Sequence, residues 1–211
     1  MIPTSSHPVS PAERKRFRRI RLCMLLSGLS VFAQLYLFQP LLSDLCSFYG
    51  ISAVTGSLSV SASTIGMAFG LFVLAFKADA VSRGRLMGGS LIASSLLTLL
   101  SVLAFNYPLL LLANFLKGAV LAGVSAVALA YLTEEVDATV IGLAISLYLS
   151  GNTLGGMAGR VSGTLLAGWA DWHVAVLVIG AVSLLLGMIF VRLLPASRHF
   201  RPSAVPVRVK L

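Results

Sequence analysis

Charges and turn-forming residues divide this chain into six long apolar segments, and that division restricts the fold before any motif is considered. A helix needs about 20 predominantly apolar residues to cross roughly 30 Å of hydrocarbon. The segments run from about Leu22 to Leu42, Leu58 to Phe76, Leu86 to Phe105, Leu109 to Leu132, Thr139 to Gly168 and Val174 to Leu194. The second belongs to 30 consecutive uncharged residues, Ser47 to Phe76. Asn106, Tyr107 and Pro108 form the turn between the third and fourth, because proline fits the first turn of a following helix. The fifth is long enough to tilt or to extend beyond the bilayer. The expected fold is an all-α membrane protein: a basic cytoplasmic tail over 1–21, a six-helix transmembrane bundle over 22–194, and a cytoplasmic C-tail over 195–211.

Composition agrees. The chain is 57% apolar and 11% charged, against roughly 45–50% and about 25% in soluble domains. A water-soluble ball would lack polar surface, and disorder needs the opposite balance. The net charge of +9 would suggest nucleic acid in a soluble protein. Position excludes that partner, because 14 of the 16 basic residues lie in the N-tail, the loop after the second segment and the C-tail. That is the positive-inside pattern, and it puts both termini in the cytoplasm. The acidic fourth-to-fifth connection, Glu134, Glu135 and Asp137, is cytoplasmic by parity, and acids count little in this rule. The first segment is too long for a cleaved leader and no small-residue cleavage site follows it. Arg18 and Arg19 are expected to anchor the first helix at the anionic inner leaflet. Cys23 and Cys46 are expected at opposite ends of that helix, too far apart to bridge.

Only two cations fall inside apolar runs, Lys117 and Arg160. Each lies eight residues from the outer end of its segment, or about 12 Å at 1.5 Å per residue. Gln34, Tyr36, Gln39, Asn114 and Asn152 add hydrogen-bonding groups at central or outer depth. Together they would line a polar cavity open to the outside; the alternative is that both cations snorkel to the outer headgroups. No Asp or Glu lies in the central part of any segment, so a proton-coupled mechanism would draw on Asp44 or a partner chain. Glycine recurs at every fourth position in the fifth segment, at Gly151, Gly155, Gly159 and Gly163. Such a stripe serves close interhelical packing or a sliding surface between two bundles, and in an isolated bundle it would face lipid. Enzyme chemistry is not expected: the chain has no HExxH or P-loop motif, no metal or cofactor signature, and its three histidines lie in loops or tails.

The layout resembles the N-terminal half of a major facilitator superfamily transporter. FQPLLSDL (Phe38 to Leu45), AVALAYLTEEV (Ala126 to Val136), LYLSGNTLGGMAGR (Leu147 to Arg160) and LPASRHFRP (Leu194 to Pro202) are similar to the YnfM-like bacterial inner-membrane efflux transporters, described as sugar or drug exporters. The loop AFKADAVSRGR (Ala75 to Arg85) keeps the aspartate of the family's loop motif as Asp79, which the resemblance makes a cytoplasmic gating residue. In the fourth-helix motif Asn114 replaces an arginine and Lys117 a glutamine. The resemblance implies alternating-access efflux of a small polar solute or drug. The first and fourth helices would line the pathway with Gln34, Tyr36, Gln39, Asn114 and Lys117, and the second and fifth would meet the opposite bundle. Because the family carries two six-helix halves, it also implies a half-length or truncated form completed by a second copy or a separate C-terminal half. The rival expectation is a non-transporting six-helix fragment or interaction subunit.

Overall fold

The computed structural model describes residues 11–77, 82–137 and 140–195. Within them the chain forms α1 (Pro11–Tyr36), α2 (Leu42–Tyr49), α3 (Ala53–Lys77), α4 (Arg83–Leu100), α5 (Tyr107–Ser125), α6 (Ala128–Glu135), α7 (Ile141–Trp169) and α8 (Trp172–Leu193). No strand occurs among the described residues. A 3-10 turn, Ser101–Leu103, extends α4. α5 and α6 are one long helix interrupted at Ala126 and Val127.

The expected segments correspond to long helices, with shifted limits. α1 starts 11 residues before Leu22, so the run Arg14 to Arg21 is helical and continuous with the first apolar segment. It ends at Tyr36 rather than Leu42, since Pro40 cannot donate to a continuing helix. The chain turns and restarts as the short α2, which was not anticipated. Cys46 therefore lies on α2, not at the end of the first helix. Among the described residues, four spans are long and apolar enough to cross a membrane on length and composition: Ala53–Phe76, Arg83–Leu103, Tyr107–Glu135 and Trp172–Leu193. Of the other two long helices, α1 carries the basic run and α7 is diluted by Gly, Ser, Thr and Asn. They pack along each other.

Local signals set the helix starts. Asn106 caps α5 by accepting from the Leu109 N–H at 2.9 Å, with Pro108 in the first turn. Asp171 caps α8 in the same way through Val174, at 2.9 Å. Gly50, at φ 63°, ends α2 in the left-handed region that glycine enters without a steric penalty. Serine and threonine hydroxyls within the spans mostly bond back to their own helix, as Ser27 does to Met24 O at 2.9 Å and Ser94 to Leu91 O at 3.1 Å. Their polarity is thereby satisfied without water.

The six long helices form two triplets, α1/α3/α4 and α5–α6/α7/α8, with matching contacts. The middle helix of each packs on the first helix of the other, α3 on α5 and α7 on α1, while α4 and α8 pack together. Nested three-helix repeats produce this pattern. Glycine makes both cross-contacts possible. A Cβ at Gly151, Gly155 or Gly159 would strike the backbone carbonyls of Leu25, Leu29 or Ala33 on α1, and at Gly163 it would lie 3.2 Å from Pro40 Cγ. On the other seam, Gly66 lies against Phe115 O and Gly118 against Ser63 O. The glycine stripe of α7 thus faces α1, inside the bundle, and not lipid.

One apolar cluster, including Met24, Leu121, Tyr131 and Phe190, fills the half nearest the chain ends. A second, including Leu37, Leu45, Leu110 and Trp172, fills the opposite end. That far end is closed by aromatic contacts. Phe48 meets Trp172 edge-on at 5.4 Å, Trp172 stacks on His173 at 3.8 Å, and Tyr49 packs on Tyr107 at 5.5 Å.

Candidate functional site

Two polar groupings converge on the stretch after α1. The first comes from α5, where Asn114 and Lys117 lie one turn apart. Lys117 is 1% exposed. Its Nζ donates to Asn114 Oδ1 at 2.7 Å and sits 4.5 Å from the centroid of the buried Phe38 ring. No carboxylate pairs with it among the described residues. Asn114 is fully buried, and its Nδ2 has no hydrogen-bond partner.

The energetics identify this grouping as unusual. Burying a cation costs several kcal/mol even after relaxation. A desolvated cation–π contact returns about 2 kcal/mol, and one hydrogen bond to a charged group about 1.5–3 kcal/mol. Together the two contacts return about 3.5–5 kcal/mol, of the order of that cost, so a lysine here gives the fold no net gain that an apolar residue would lack.

The second grouping comes from α7. Arg160 Nε donates to Gln39 Oε1 at 2.7 Å, and the guanidinium lies 4.2 Å over the Tyr36 ring. Gly156 leaves room for that ring, since a Cβ there would be 3.2 Å from Tyr36 Cδ2. Arg160 and Gln39 are exposed, which makes them a rim, whereas Lys117 and Asn114 are interior. The two cations therefore reach Tyr36, Phe38 and Gln39 from different helices without one common environment.

Gln34 is placed elsewhere. It is fully buried, donates to Ser30 O and Oγ at 3.2 Å, and accepts from Thr98 Oγ1 at 3.0 Å. It ties α1 to α4. Asn152 is half-buried at the α1–α7 contact beside Gly28, and its Oδ1 is unpartnered. Asp79 lies outside the described residues.

Sequence reasoning missed Phe38 as the partner of Lys117, because nothing local links a residue of α5 to one in the turn after α1. It also missed the role of the acidic connection. Glu135 forms an ion pair with Arg16, and Glu134 is bidentate to Arg83 Nε at 2.9 and 2.8 Å. Both pairs join one triplet to the other at the end where Tyr131 donates to Pro195 O at 3.2 Å. Outside the spans, the Val174 N–H and then the neighbouring His173 hold the Asp171 carboxyl below its ordinary value.

A family model described as Major Facilitator Superfamily matches residues 22–210. The inner membrane transport protein YnfM of Escherichia coli (strain K12) is 36% identical over 190 residues, covering 90% of this chain and 46% of that protein. The uncharacterized MFS-type transporter YybF of Bacillus subtilis (strain 168) is 36% identical over 186 residues, covering 88% and 46%. A chloramphenicol resistance protein of Streptomyces lividans is 26% identical over 178 residues, covering 83% and 45%. Among solved structures, a bacterial homologue of the human lysosomal transporter Spinster, inward-facing and unoccupied, aligns with a TM-score of 0.76 at 19% identity. It covers 92% of this chain and 47% of that one, and at that identity the match speaks to fold alone. The chain spans about half the length of the relatives it matches.

Proposed function

The chain belongs to the major facilitator superfamily, and we propose that it forms the N-terminal six-helix half of an efflux-type secondary transporter in the bacterial inner membrane, with both chain ends cytoplasmic. A second six-helix half, from another copy or a separate polypeptide, closes the pathway. Transport runs by alternating access, the solute site being exposed to one side and then the other as the halves rock. α1 and α5 line the site, with Lys117 and Asn114 inside it and Arg160, Gln39 and Tyr36 at its rim. Asp79 acts at the cytoplasmic gate. The solute is a small polar compound or drug.

The observation that supports this reading is the buried, carboxylate-free Lys117 beside an amide with an unused donor. An ionisable residue buried at membrane depth is a functional-site candidate by default, and a solute pathway is one of the places such residues occur.

A substrate-independent test replaces Lys117 with cysteine in a Cys46→Ser background. The chain is co-expressed with the C-terminal half of the Escherichia coli relative. A small charged methanethiosulfonate should modify Lys117→Cys in membranes, and full protection would refute the pathway assignment. Export of radiolabelled chloramphenicol and L-arabinose is then measured with the same pair. Lys117→Met should lower export of a transported probe at least about tenfold with membrane levels unchanged. Protection of the cysteine together with no export would favour a six-helix interaction subunit.

A further inference from the structure

The basic run at the start of α1 is a built surface rather than a loose tail. Arg14, Lys15, Arg18 and Arg19 are all exposed, and their spacing of one, four and five residues puts them on one helix face. Arg16 turns away from them to Glu135. None of the four forms an ion pair among the described residues. The sequence of 1–10 and 196–211 contains no Asp or Glu that could neutralise them. Arg14/Arg18 and Lys15/Arg19 are like-charge pairs four residues apart, an arrangement that disfavours the helix unless an anion is present.

The apolar stems of these four side chains line a groove of about 560 Å³ together with Leu22 and Leu193. Leu22 opens the apolar part of α1 and Leu193 is the last residue of α8. The groove therefore lies where charged surface gives way to hydrocarbon, with cations on the water side and two leucines on the membrane side. We propose that it binds one anionic phospholipid. The phosphates lie among Arg14, Lys15, Arg18 and Arg19, and the first acyl methylenes lie on Leu22 and Leu193. Four cations suit a headgroup carrying two phosphates, and basic pockets between spanning helices are where such lipids are held.

Native mass spectrometry of the purified full chain in detergent, titrated with tetraoleoyl cardiolipin, tests this. One cardiolipin should saturate the chain in preference to dioleoylphosphatidylcholine, and an about tenfold molar excess of inorganic phosphate over lipid should leave it bound, because a free phosphate lacks the acyl contact with the two leucines. The triple variant Arg14→Gln/Arg18→Gln/Arg19→Gln should weaken it at least about tenfold. Arg85→Gln, which removes an exposed cation at the same end, should change it little. Equal retention of the zwitterionic lipid, displacement by phosphate, equal loss in Arg85→Gln, or unchanged binding in the triple variant would each overturn the proposal.

Discussion

Lys117 and Arg160 look alike in the sequence, as lone cations in apolar runs, yet their surroundings give them different work. Arg160 lies at an exposed rim with an amide and a ring as partners, while Lys117 is sealed between α5 and the stretch after α1. Residue type was therefore readable, but which of the two is interior was not, nor the ring that covers Lys117, because Phe38 is brought to it only by tertiary packing. Asp171 shows a residue whose role was fully local. Its capping of α8 was available from the sequence as an aspartate before an apolar helix. Asp171→Ala should lower stability by about 1 kcal/mol. Because its folded-state pKa is depressed, its contribution is complete above the ordinary aspartate value and is lost as pH falls through the lowered one. Thermal unfolding in detergent should accordingly show the wild-type advantage at pH 7 and little difference between wild type and variant at pH 2.

At the scale of elements, hydropathy located the long helices and misjudged their ends. The apolar count cannot see that α1 continues through a cationic stretch, since that part is held by Glu135 and by helix continuity rather than by burial in hydrocarbon. α2 was hidden because it is too short for a span and follows Pro40 within an apolar run. The four-residue glycine spacing revealed a close contact but not its partner, because periodicity defines a face and says nothing of what lies against it. That partner is α1, and the contact is with its backbone. Gly155→Ala should destabilise by about 1–3 kcal/mol through overpacking against Leu29, outweighing the helix-propensity gain. Gly89→Ala, where a Cβ meets nothing within 4 Å, should be neutral or stabilising by up to about 1 kcal/mol. Melting temperatures of the two variants in one detergent should move in opposite directions, and a shared direction would contradict the packing described.

For the whole molecule, the alternating order of the long helices follows from short connections, and the ion pairs Arg16–Glu135 and Arg83–Glu134 fasten the two triplets at the end where α1 begins and α8 ends. The acidic connection that looked out of place among basic loops is their counter-charge. Orientation in the membrane can be read from the two cysteines. Cys46 is partly exposed at the end away from the termini and Cys23 is fully buried. A membrane-impermeant maleimide added outside spheroplasts should label Cys46 and spare Cys23; labelling that requires lysis would invert the assigned topology. The two cross-contacts also carry a consequence for how such a sequence can drift. At Gly66, Gly118, Gly151 and Gly155 every single-base change that alters the residue adds at least a Cβ against a neighbouring backbone. Outward positions such as Ile65 and Phe72 on α3, or Leu154, Met157 and Leu165 on α7, meet no such wall within the chain. In a mutational scan the inner faces of α3 and α7 should therefore be nearly frozen while their outer faces exchange one bulky apolar residue for another, so that selection for a new neighbour could reshape the surface and leave the seam beneath it untouched.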